Sequence, residues 1–265
     1  MSGAGRVTAL SVTPVKATRL QQVDSVELDE TGARGNRRFF VIDERDRMVN
    51  AKVLGALQQV VSSYDEASGR LSLRFPDGNV VAAMVDGGGG GGGEGIEVSF
   101  FSGTRPARVL HGPWSEALSE LVGQKLRLVE GGPAVDRGPA GAVSLISRAS
   151  LERFASEADV DQLDARRFRM LIEIDGVDAH AEDGWVGRSV RVGSAAIRVE
   201  GHVGRCLITS RDPDTGEVTL PTLDVLRSYR ADVAACTEPL PFGVYGRVMQ
   251  GGRLSVGDPV SLSDV

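Results

Sequence analysis

The sequence predicts a protein of the α+β class that is mainly β, with two β-barrel-like regions and a few short helices. Short apolar segments that alternate with polar residues recur along the chain between turn sequences, which is typical of barrel-like sheets. Helical periodicity is confined to four short segments. No alternation of strand and helix recurs, so the pattern argues against a Rossmann fold.

The predicted strands follow from this alternation and from the turns between them. Leu71, Leu73 and Phe75 alternate with polar residues and lead into a turn at 76–79, and residues 190–199 form a hairpin that turns near Gly193. The other predicted strands lie at residues 7–12, 38–43, 80–85, 96–101, 143–146, 171–175, 206–210 and 254–262.

The predicted helices are short, and two of them have a candidate N-cap. Ser147 and Thr222 stand where their hydroxyl groups would cap the third and the fourth helix. The four predicted helices span residues 51–60, 115–121, 149–158 and 223–230.

The glycine run from Gly87 to Gly93 is predicted to be a mobile loop within an expanded hairpin. Strand-like segments flank it closely, and glycine has no side chain to pack. No GKS/T sequence and no helix follow the run, so it is not a phosphate-binding loop. A boundary near Gly123 or Gly131 divides the chain into two predicted domains, residues 1–125 and residues 126–265.

The composition excludes several functional classes. The 265 residues carry a net charge of −6 and only 5% aromatic residues, so bulk nucleic-acid binding is not expected. No window approaches the roughly 18 consecutive apolar residues of a membrane span. The first residues lack the apolar core of a signal peptide, so we expect a cytoplasmic protein. Two cysteines and three histidines are too few for a typical protein-built zinc module, so any metal would arrive inside a cofactor or depend on carboxylates.

The basic residues are mostly arginines, whose forked guanidinium groups suit phosphate and carboxylate oxygens. Solvated arginine-rich faces are the alternative interpretation. Lys16 follows the first strand, where it would meet an anion or lie on the surface. Arg167 and Arg169 would share one face of a strand and clamp a phosphate. Residues 182–185 are interpreted as a loop anchored by Trp185 rather than as an acid–base pair.

Cys206 is the candidate reactive residue. It precedes the turn sequence Asp-Pro-Asp-Thr-Gly at 212–216, so a strand should end shortly after it. The adjacent Arg205 would favour the thiolate, which attacks electrophiles and binds soft metals. A cysteine that packs as a small hydrophobe is the alternative. His202, four residues earlier, would share a strand face with Cys206 and offers a Cys–His couple.

A set of motifs in a fixed order resembles the MOSC family. The motifs are PVK at 14–16, NRRFFVID at 36–43, RFR at 167–169, AEDGW at 181–185, RCLIT at 205–209, DPDTGE at 212–217 and VGDPV at 256–260. The order is similar to that of two-domain members, such as the mitochondrial amidoxime-reducing components and their bacterial relatives. The resemblance implies an N-terminal MOSC β-barrel region followed by a MOSC β-barrel domain.

The resemblance also implies a cofactor and a set of site residues. Cys206 matches the cysteine that binds molybdenum in the molybdopterin cofactor of the family, and it is the implied catalytic residue. Pyridoxal phosphate is associated with the family only through the desulfurase domain that precedes MOSC in cofactor sulfurases. The residues at cofactor-binding positions, where basic groups hold the phosphate between the domains, are Lys16, Arg38, Ser147, Arg169 and Arg205.

Two positions depart from the family pattern. Leu171 stands where relatives commonly have asparagine, so it lacks a polar group that would bond the cofactor. Gly204 replaces a small hydroxyl residue of some members. The ferredoxin domain fused to some bacterial relatives is not expected, because the chain stops at Val265.

The implied function is a molybdenum-dependent oxidoreductase that reduces N-hydroxylated small molecules. Separate redox proteins would donate the electrons, because the sequence has no internal redox centre. One alternative is a module that carries or delivers the cofactor, or a sulfur on Cys206, without turnover of its own. Another is a cysteine hydrolase that uses Cys206 and His202.

Overall fold

The computed structural model describes residues 5–85, 93–101, 103–131, 138–233 and 236–263. Its strands are β1 Gly5–Val12, β2 Gln21–Val23, β3 Ser25–Asp29, β4 Gly32–Ala33, β5 Phe39–Ile42, β6 Met48–Val49, β7 Val61–Asp65, β8 Arg70–Arg74, β9 Val80–Met84, β10 Gly95–Phe100, β11 Gly103–Val109, β12 Arg127–Glu130, β13 Val143–Ser147, β14 Ile172–Asp175, β15 Ser189–Val192, β16 Ala195–Gly204, β17 Pro241–Gln250, β18 Gly252–Ser255 and β19 Pro259–Ser263. Its α-helices within these ranges are α1 Trp114–Val122, α2 Arg148–Glu157 and α3 Thr222–Arg230. Short 3-10 helices occur at Gly55–Gln59, Pro139–Gly141, Ala165–Phe168, Ala181–Trp185 and Leu207–Ser210.

Seven strands close a barrel in the order β14-β13-β17-β16-β15-β19-β1, and β1 pairs back onto β14. The only parallel pair in this ring is β13 with β14. Alternate residues such as Val190, Val192 and Ile197 fill the barrel core. The fold is therefore mainly β with short helices, as the sequence predicts.

The first strand closes this barrel although the rest of the ring comes from residues beyond 142. Gly5 has a φ of +135°, and a Cβ there would overlap the carbonyl oxygen of Asp175 in β14. Only glycine therefore permits this close approach of β1 to β14. The division of the chain at residue 125 stays a prediction.

The N-terminal part forms two further sheets, β10-β11-β12-β5-β6 and β7-β8-β9. They share a core in which Phe39, Leu71 and Trp114 are fully buried. The indole Nε1 of Trp114 donates a 3.0 Å hydrogen bond to the carbonyl of Leu71, which joins α1 to β8. A third small sheet, β18-β3-β4, links the two parts of the chain.

The helices agree with the periodicity at three of the four predicted places. Ser147 caps α2, since its hydroxyl accepts a 3.1 Å hydrogen bond from the backbone N–H of Ser150. The prediction of Thr222 as a cap is wrong, because its hydroxyl donates to the carbonyl of Thr209 instead, at 2.8 Å. In the predicted helix at 51–60 the structure has only the 3-10 helix Gly55–Gln59.

The predicted strand at 206–210 and the predicted strand conformation of Arg167 and Arg169 are wrong. Residues 207–210 form a 3-10 helix, because the hydroxyl and the backbone N–H of Thr209 both donate to the carbonyl of Cys206. Arg167 lies in the 3-10 helix Ala165–Phe168, and Arg169 follows it with a left-handed φ of 54°. These two arginines therefore do not share the face of a strand.

The segments around the glycine run belong to different sheets. β9 pairs with β8 and β10 pairs with β11, so the predicted hairpin across the run is wrong. Gly87 to Gly92, for which the sequence predicts a mobile loop, lie outside the described residues. The predicted strand at 254–262 is likewise two strands, β18 and β19, in separate sheets.

Within the part of the chain that the structure describes, no helix is long and apolar enough to cross a membrane.

Candidate functional site

A cavity of about 740 Å³ lies between the barrel and the loops of the N-terminal part. The end of β16, Tyr245 in the middle of β17, the segment between Phe168 and Leu171, and the loop after β1 meet around it. Of the six site residues that the sequence singled out, four line this cavity: Lys16, Arg169, Arg205 and Cys206.

Cys206 is an exposed free cysteine at the cavity wall. It lies two residues beyond the end of β16 and immediately before the 3-10 helix Leu207–Ser210. Thr209 fixes this turn, because its hydroxyl donates a 2.9 Å hydrogen bond to the carbonyl of Cys206. Arg167 in turn donates to the carbonyl of Thr209 at 3.0 Å. The thiol is thus carried by a backbone segment held on both sides.

Arg205 orients the segment before the thiol. Its Nη1 donates to the carbonyl of Phe168 at 2.7 Å and its Nε to the carbonyl of Phe242 at 2.8 Å. The guanidinium lies 5.4 Å from the ring centroid of Phe168, a cation–π distance. A forked donor set suits this arrangement of two carbonyls on separate elements.

The remaining cations approach the cavity from the loop regions. Arg169 donates to the carbonyl of Thr18 at 2.8 Å, and its own carbonyl accepts a 2.7 Å hydrogen bond from Arg37. The Nζ of Lys16 lies 5.5 Å from the ring centroid of Phe101. With Arg205 and Lys52, these side chains make five cations in the lining. Glu238 is the one carboxylate among the described residues of the lining.

Arg38 and Ser147 lie away from the cavity lining. The Nε of Arg38 is 2.6 Å from Glu130, and its guanidinium stacks 5.1 Å from the ring of Tyr64. Ser147 is fully buried at the start of α2, where its backbone N–H donates to Glu182 at 3.1 Å. The structure therefore does not bring these two residues together with the other four.

His202 does not form a couple with Cys206 in this structure. Its side chain is buried in the barrel wall and does not line the cavity. Its Nε2 lies 3.8 Å from Asp183, and its Nδ1 lies 3.4 Å from the hydroxyl of Thr237. The expected strand alternation fails, because β16 ends at Gly204 and has register shifts before that point.

The loop at 182–185 is a 3-10 helix whose Trp185 is buried in the barrel core, in agreement with its interpretation as an anchor. Glu182 beside it is fully buried, and burial raises the pKa of its carboxyl group. Its Oε1 accepts a 2.7 Å hydrogen bond from Ser150. This carboxyl group therefore holds the start of α2 against the barrel.

Several residues of the cavity lining were not predicted from the sequence. Asn36 and Arg37 lie in the motif NRRFFVID at 36–43, so the sequence carries a signal for these two residues although only Arg38 of this motif was predicted to bind the cofactor. Glu238 and Tyr245 carry no local signal, since they reach the cavity through β17 and the segment before it, and β17 pairs with β16.

Comparison with known proteins matches both parts of the chain. Residues 4–104 match the MOSC N-terminal beta barrel domain, and residues 132–261 match the MOSC domain. Mitochondrial amidoxime-reducing component 1 of Xenopus laevis is 26% identical over 97% of this chain and 81% of its own length. The protein of the same name from Danio rerio is 28% identical over 98% of this chain and 85% of its own length. The YuaD protein of Bacillus subtilis is 11% identical, covers 97% of this chain and 93% of its own, and has a TM-score of 0.44. The chain therefore belongs to the MOSC domain family, in the form that has a MOSC N-terminal beta barrel domain ahead of the MOSC domain.

Proposed function

We propose that this chain binds a molybdenum cofactor of the molybdopterin type in the cavity at Cys206 and reduces N-hydroxylated small molecules. The observation that carries the proposal is the juxtaposition of one exposed thiol with five cations around a cavity of about 740 Å³. The two relatives above from Xenopus laevis and Danio rerio are named amidoxime-reducing components, which supports the same proposal.

The residues present fit such a group. A thiolate is a soft ligand, and a pterin dithiolene brings its own sulfur atoms, so one cysteine from the chain suffices. Among the described residues, no group of three or more His, Cys, Asp and Glu side chains could hold a metal ion without it. The cavity volume also falls within the usual range of about 300–1,000 Å³ for cofactor sites.

The departure at Leu171 is compatible with this fit. The backbone N–H of Leu171 donates a 3.0 Å hydrogen bond to the hydroxyl of Ser144. Ser144 lines the same cavity, so a polar group lies directly beside the position where the leucine has none. We include Ser144 in the cofactor site for this reason.

Some of these residues would bind the charged groups of the cofactor, and others position the backbone around the site. Lys16, Arg37 and Arg169 would hold the phosphate of the cofactor, because lysine and arginine donate charge-assisted hydrogen bonds to phosphate oxygens. Cys206 would be the ligand of the metal. Arg205 keeps the backbone of Cys206 in place through its bonds to two carbonyls. Arg38 and Ser147 are left out of the set, because Glu130 and Glu182 hold them elsewhere.

When bound, the cofactor supplies two-electron oxygen-transfer chemistry, so that an N-hydroxyamidine, two electrons and two protons give an amidine and water. The chain binds and orients the substrate beside Cys206. Separate redox proteins are the proposed source of the electrons.

A carrier of the cofactor or of a sulfur atom is the second candidate function. The exposure of Cys206 favours it, because a thiol that delivers a group must be accessible to the acceptor. The reductase and a carrier of the cofactor differ in turnover and not in cofactor binding, whereas a carrier of sulfur would bind no molybdenum.

The deciding experiment uses the full chain expressed in a host that makes the cofactor. Molybdenum and pterin are measured per chain, and reduction of benzamidoxime is followed with a chemical electron donor. Stoichiometric metal with turnover supports the reductase. Stoichiometric metal without turnover supports the carrier, and no metal with a fully reactive Cys206 thiol overturns both cofactor readings.

A further inference from the structure

Phe101 is a residue of the cavity lining whose large ring stays exposed. Its side chain is 65% exposed although it lines the cavity, so the ring lies at the entrance. Phe101 makes an edge contact with the ring of Phe100, with 4.9 Å between the ring centroids. The free face of the Phe101 ring is apolar surface that a molecule bound in the cavity would cover.

The backbone conformation at Phe101 is unusual for a phenylalanine. Phe100 pairs with Gly103, so only two residues turn the hairpin between β10 and β11. Turns of this length require a positive φ at their first residue, where glycine, asparagine or aspartate is usual. Phe101 has a φ of 52°, a conformation that is strained for a bulky side chain. The turn therefore does not favour the ring, and strained positions of this kind cluster at functional sites.

The ring of Phe101 lies beside a cation that the proposed function assigns to the phosphate. The Nζ of Lys16 is 5.5 Å from the ring centroid of Phe101 and 5.9 Å from that of Phe100. The backbone of Lys16 is fixed, because its N–H donates a 2.7 Å hydrogen bond to the carbonyl of Phe39. A phosphate bound by Lys16 in this cavity would therefore lie close to the ring of Phe101.

A ring over the pair of Lys16 and phosphate would strengthen that pair. Water and dissolved salt weaken an ion pair at the entrance of a cavity, because they screen its charges. An aromatic ring that covers the pair excludes water, and the ring also gains free energy as its apolar surface is buried. Both effects slow the escape of the bound group.

We propose that Phe101 retains the bound cofactor in the cavity, because its ring packs on the phosphate-bearing end and covers the phosphate held by Lys16. The inference rests on the proposed function, since it adds a residue to the same cofactor site. Phe101 acts on the rate at which the cofactor is lost, whereas the proposed ligand of the metal is still Cys206.

The test measures the loss of cofactor from the full chain, purified from the cofactor-producing host. Bound pterin and molybdenum are followed during dialysis at low and at high salt for wild type, Phe101→Ala and Phe101→Tyr. We expect Phe101→Ala to lose the cofactor about tenfold faster than wild type, because the burial of one aromatic face is lost. The difference should grow at high salt, since the ion pair is no longer covered. Phe101→Tyr keeps the ring and should retain the cofactor as wild type does.

Two further variants separate retention from folding. Asparagine suits the left-handed φ, so Phe101→Asn should fold like wild type and still lose the cofactor as fast as Phe101→Ala. Met249→Ala is the matched control, because Met249 is 61% exposed and lies outside the cavity lining. This variant should retain the cofactor like wild type. Thermal unfolding of the cofactor-free proteins checks that each variant is folded.

Several outcomes would overturn the inference. One is an equal rate of cofactor loss in wild type and Phe101→Asn, and if this variant also had a higher KM for benzamidoxime, the ring would contact the substrate instead. Another is a loss from Phe101→Tyr as fast as that from Phe101→Ala. A third is a difference between Phe101→Ala and wild type that salt does not change, because the ring would then not cover the phosphate.

Failure of the proposed function is seen separately. A wild type that holds molybdenum but does not reduce benzamidoxime is not a reductase, and its rates of cofactor loss still decide the role of Phe101. A wild type that binds neither pterin nor molybdenum overturns both proposals.

Discussion

The backbones of Gly55 and Gly216 touch, so closely that a Cβ on either residue would overlap the carbonyl oxygen of the other. Gly55 begins a 3-10 helix of the N-terminal part, and Gly216 lies in the turn that follows the Cys206 segment. Gln58 and Gln59 add hydrogen bonds to the same turn, to the carbonyls of Asp212 at 2.8 Å and Thr215 at 3.0 Å. The N-terminal part therefore holds the loop next to the thiol in place.

This contact predicts that a methyl group added at Gly55 strongly destabilises the folded protein. Gly55→Ala should lower the free energy of unfolding by about 2 kcal/mol, because the added Cβ meets backbone that cannot move aside. Urea denaturation measures the change. Gly95→Ala is the control, since a Cβ there meets nothing within 4 Å. Equal stability of the two variants would contradict the close approach.

Removing the charge of Lys16 should weaken retention of the cofactor. We expect Lys16→Gln to raise the dissociation constant of the cofactor about tenfold, because one charge-assisted hydrogen bond to phosphate is lost. Pterin and molybdenum that remain after dialysis are the readouts. Lys125→Gln is the control, because the side chain of Lys125 is 73% exposed and lies outside the cavity. Unchanged retention in Lys16→Gln would place the phosphate elsewhere.

The thiol of Cys206 should be essential for metal binding but not for folding. Cys206→Ser should lose molybdenum and reductase activity, since a hydroxyl is a hard and weakly acidic ligand. Its midpoint of unfolding should stay close to that of cofactor-free wild type, because the side chain is exposed and bound cofactor would itself stabilise the folded state. Cys236→Ser should keep both metal and activity, as Cys236 does not line the cavity. A metal-loaded, active Cys206→Ser variant would exclude ligation by this residue.

The forked guanidinium group of Arg205 should contribute more to stability and to the position of the Cys206 segment than its positive charge does. Arg205→Lys keeps the charge but cannot bond both Phe168 and Phe242, so we expect a loss of about 2 kcal/mol in the free energy of unfolding. Release of the segment should also speed the reaction of Cys206 with a disulfide reagent. Arg191→Lys, at an exposed position of β15, is the control. If Arg205→Lys matched this control in both measurements, Arg205 would not position the thiol segment.

Acid should destabilise the protein through His180. Burial, and then the charge of Arg230, lower the pKa of His180 from 6.5 to about 4. In the unfolded chain His180 therefore becomes protonated below pH 6.5, whereas in the folded protein it becomes protonated only below about pH 4. Stability should fall as the pH drops through this window, by at most about 1.4 kcal/mol per pH unit.

Replacement of His180 tests this linkage. His180→Asn should flatten the dependence of the unfolding free energy on pH between 6.5 and 4, and asparagine tolerates the left-handed φ of 63° at this position. Urea denaturation at several pH values is the measurement. His111→Asn, at an exposed position, is the control. An unchanged slope in His180→Asn would assign the acid sensitivity to other groups.

Local patterns carried much of the fold. Short apolar segments between turns predicted β1, β5 and β8, and the hydroxyl of Ser147 predicted the start of α2. These signals succeed because side-chain spacing and capping act within a few residues. The motif around Cys206 also identified this cysteine as a site residue, because the residues of the motif are neighbours in the sequence.

Tertiary contacts decided how the barrel closes and which side chains reach the cavity. β1 closes the barrel against β14, Arg38 turns to Glu130 and away from the cavity, and Glu238 reaches the Cys206 segment through β17. Hydrogen bonds and ion pairs between residues far apart in the chain leave no trace in local periodicity. The sequence by itself therefore determined which residue types are available for chemistry, whereas packing of distant segments decided which of them meet in one cavity.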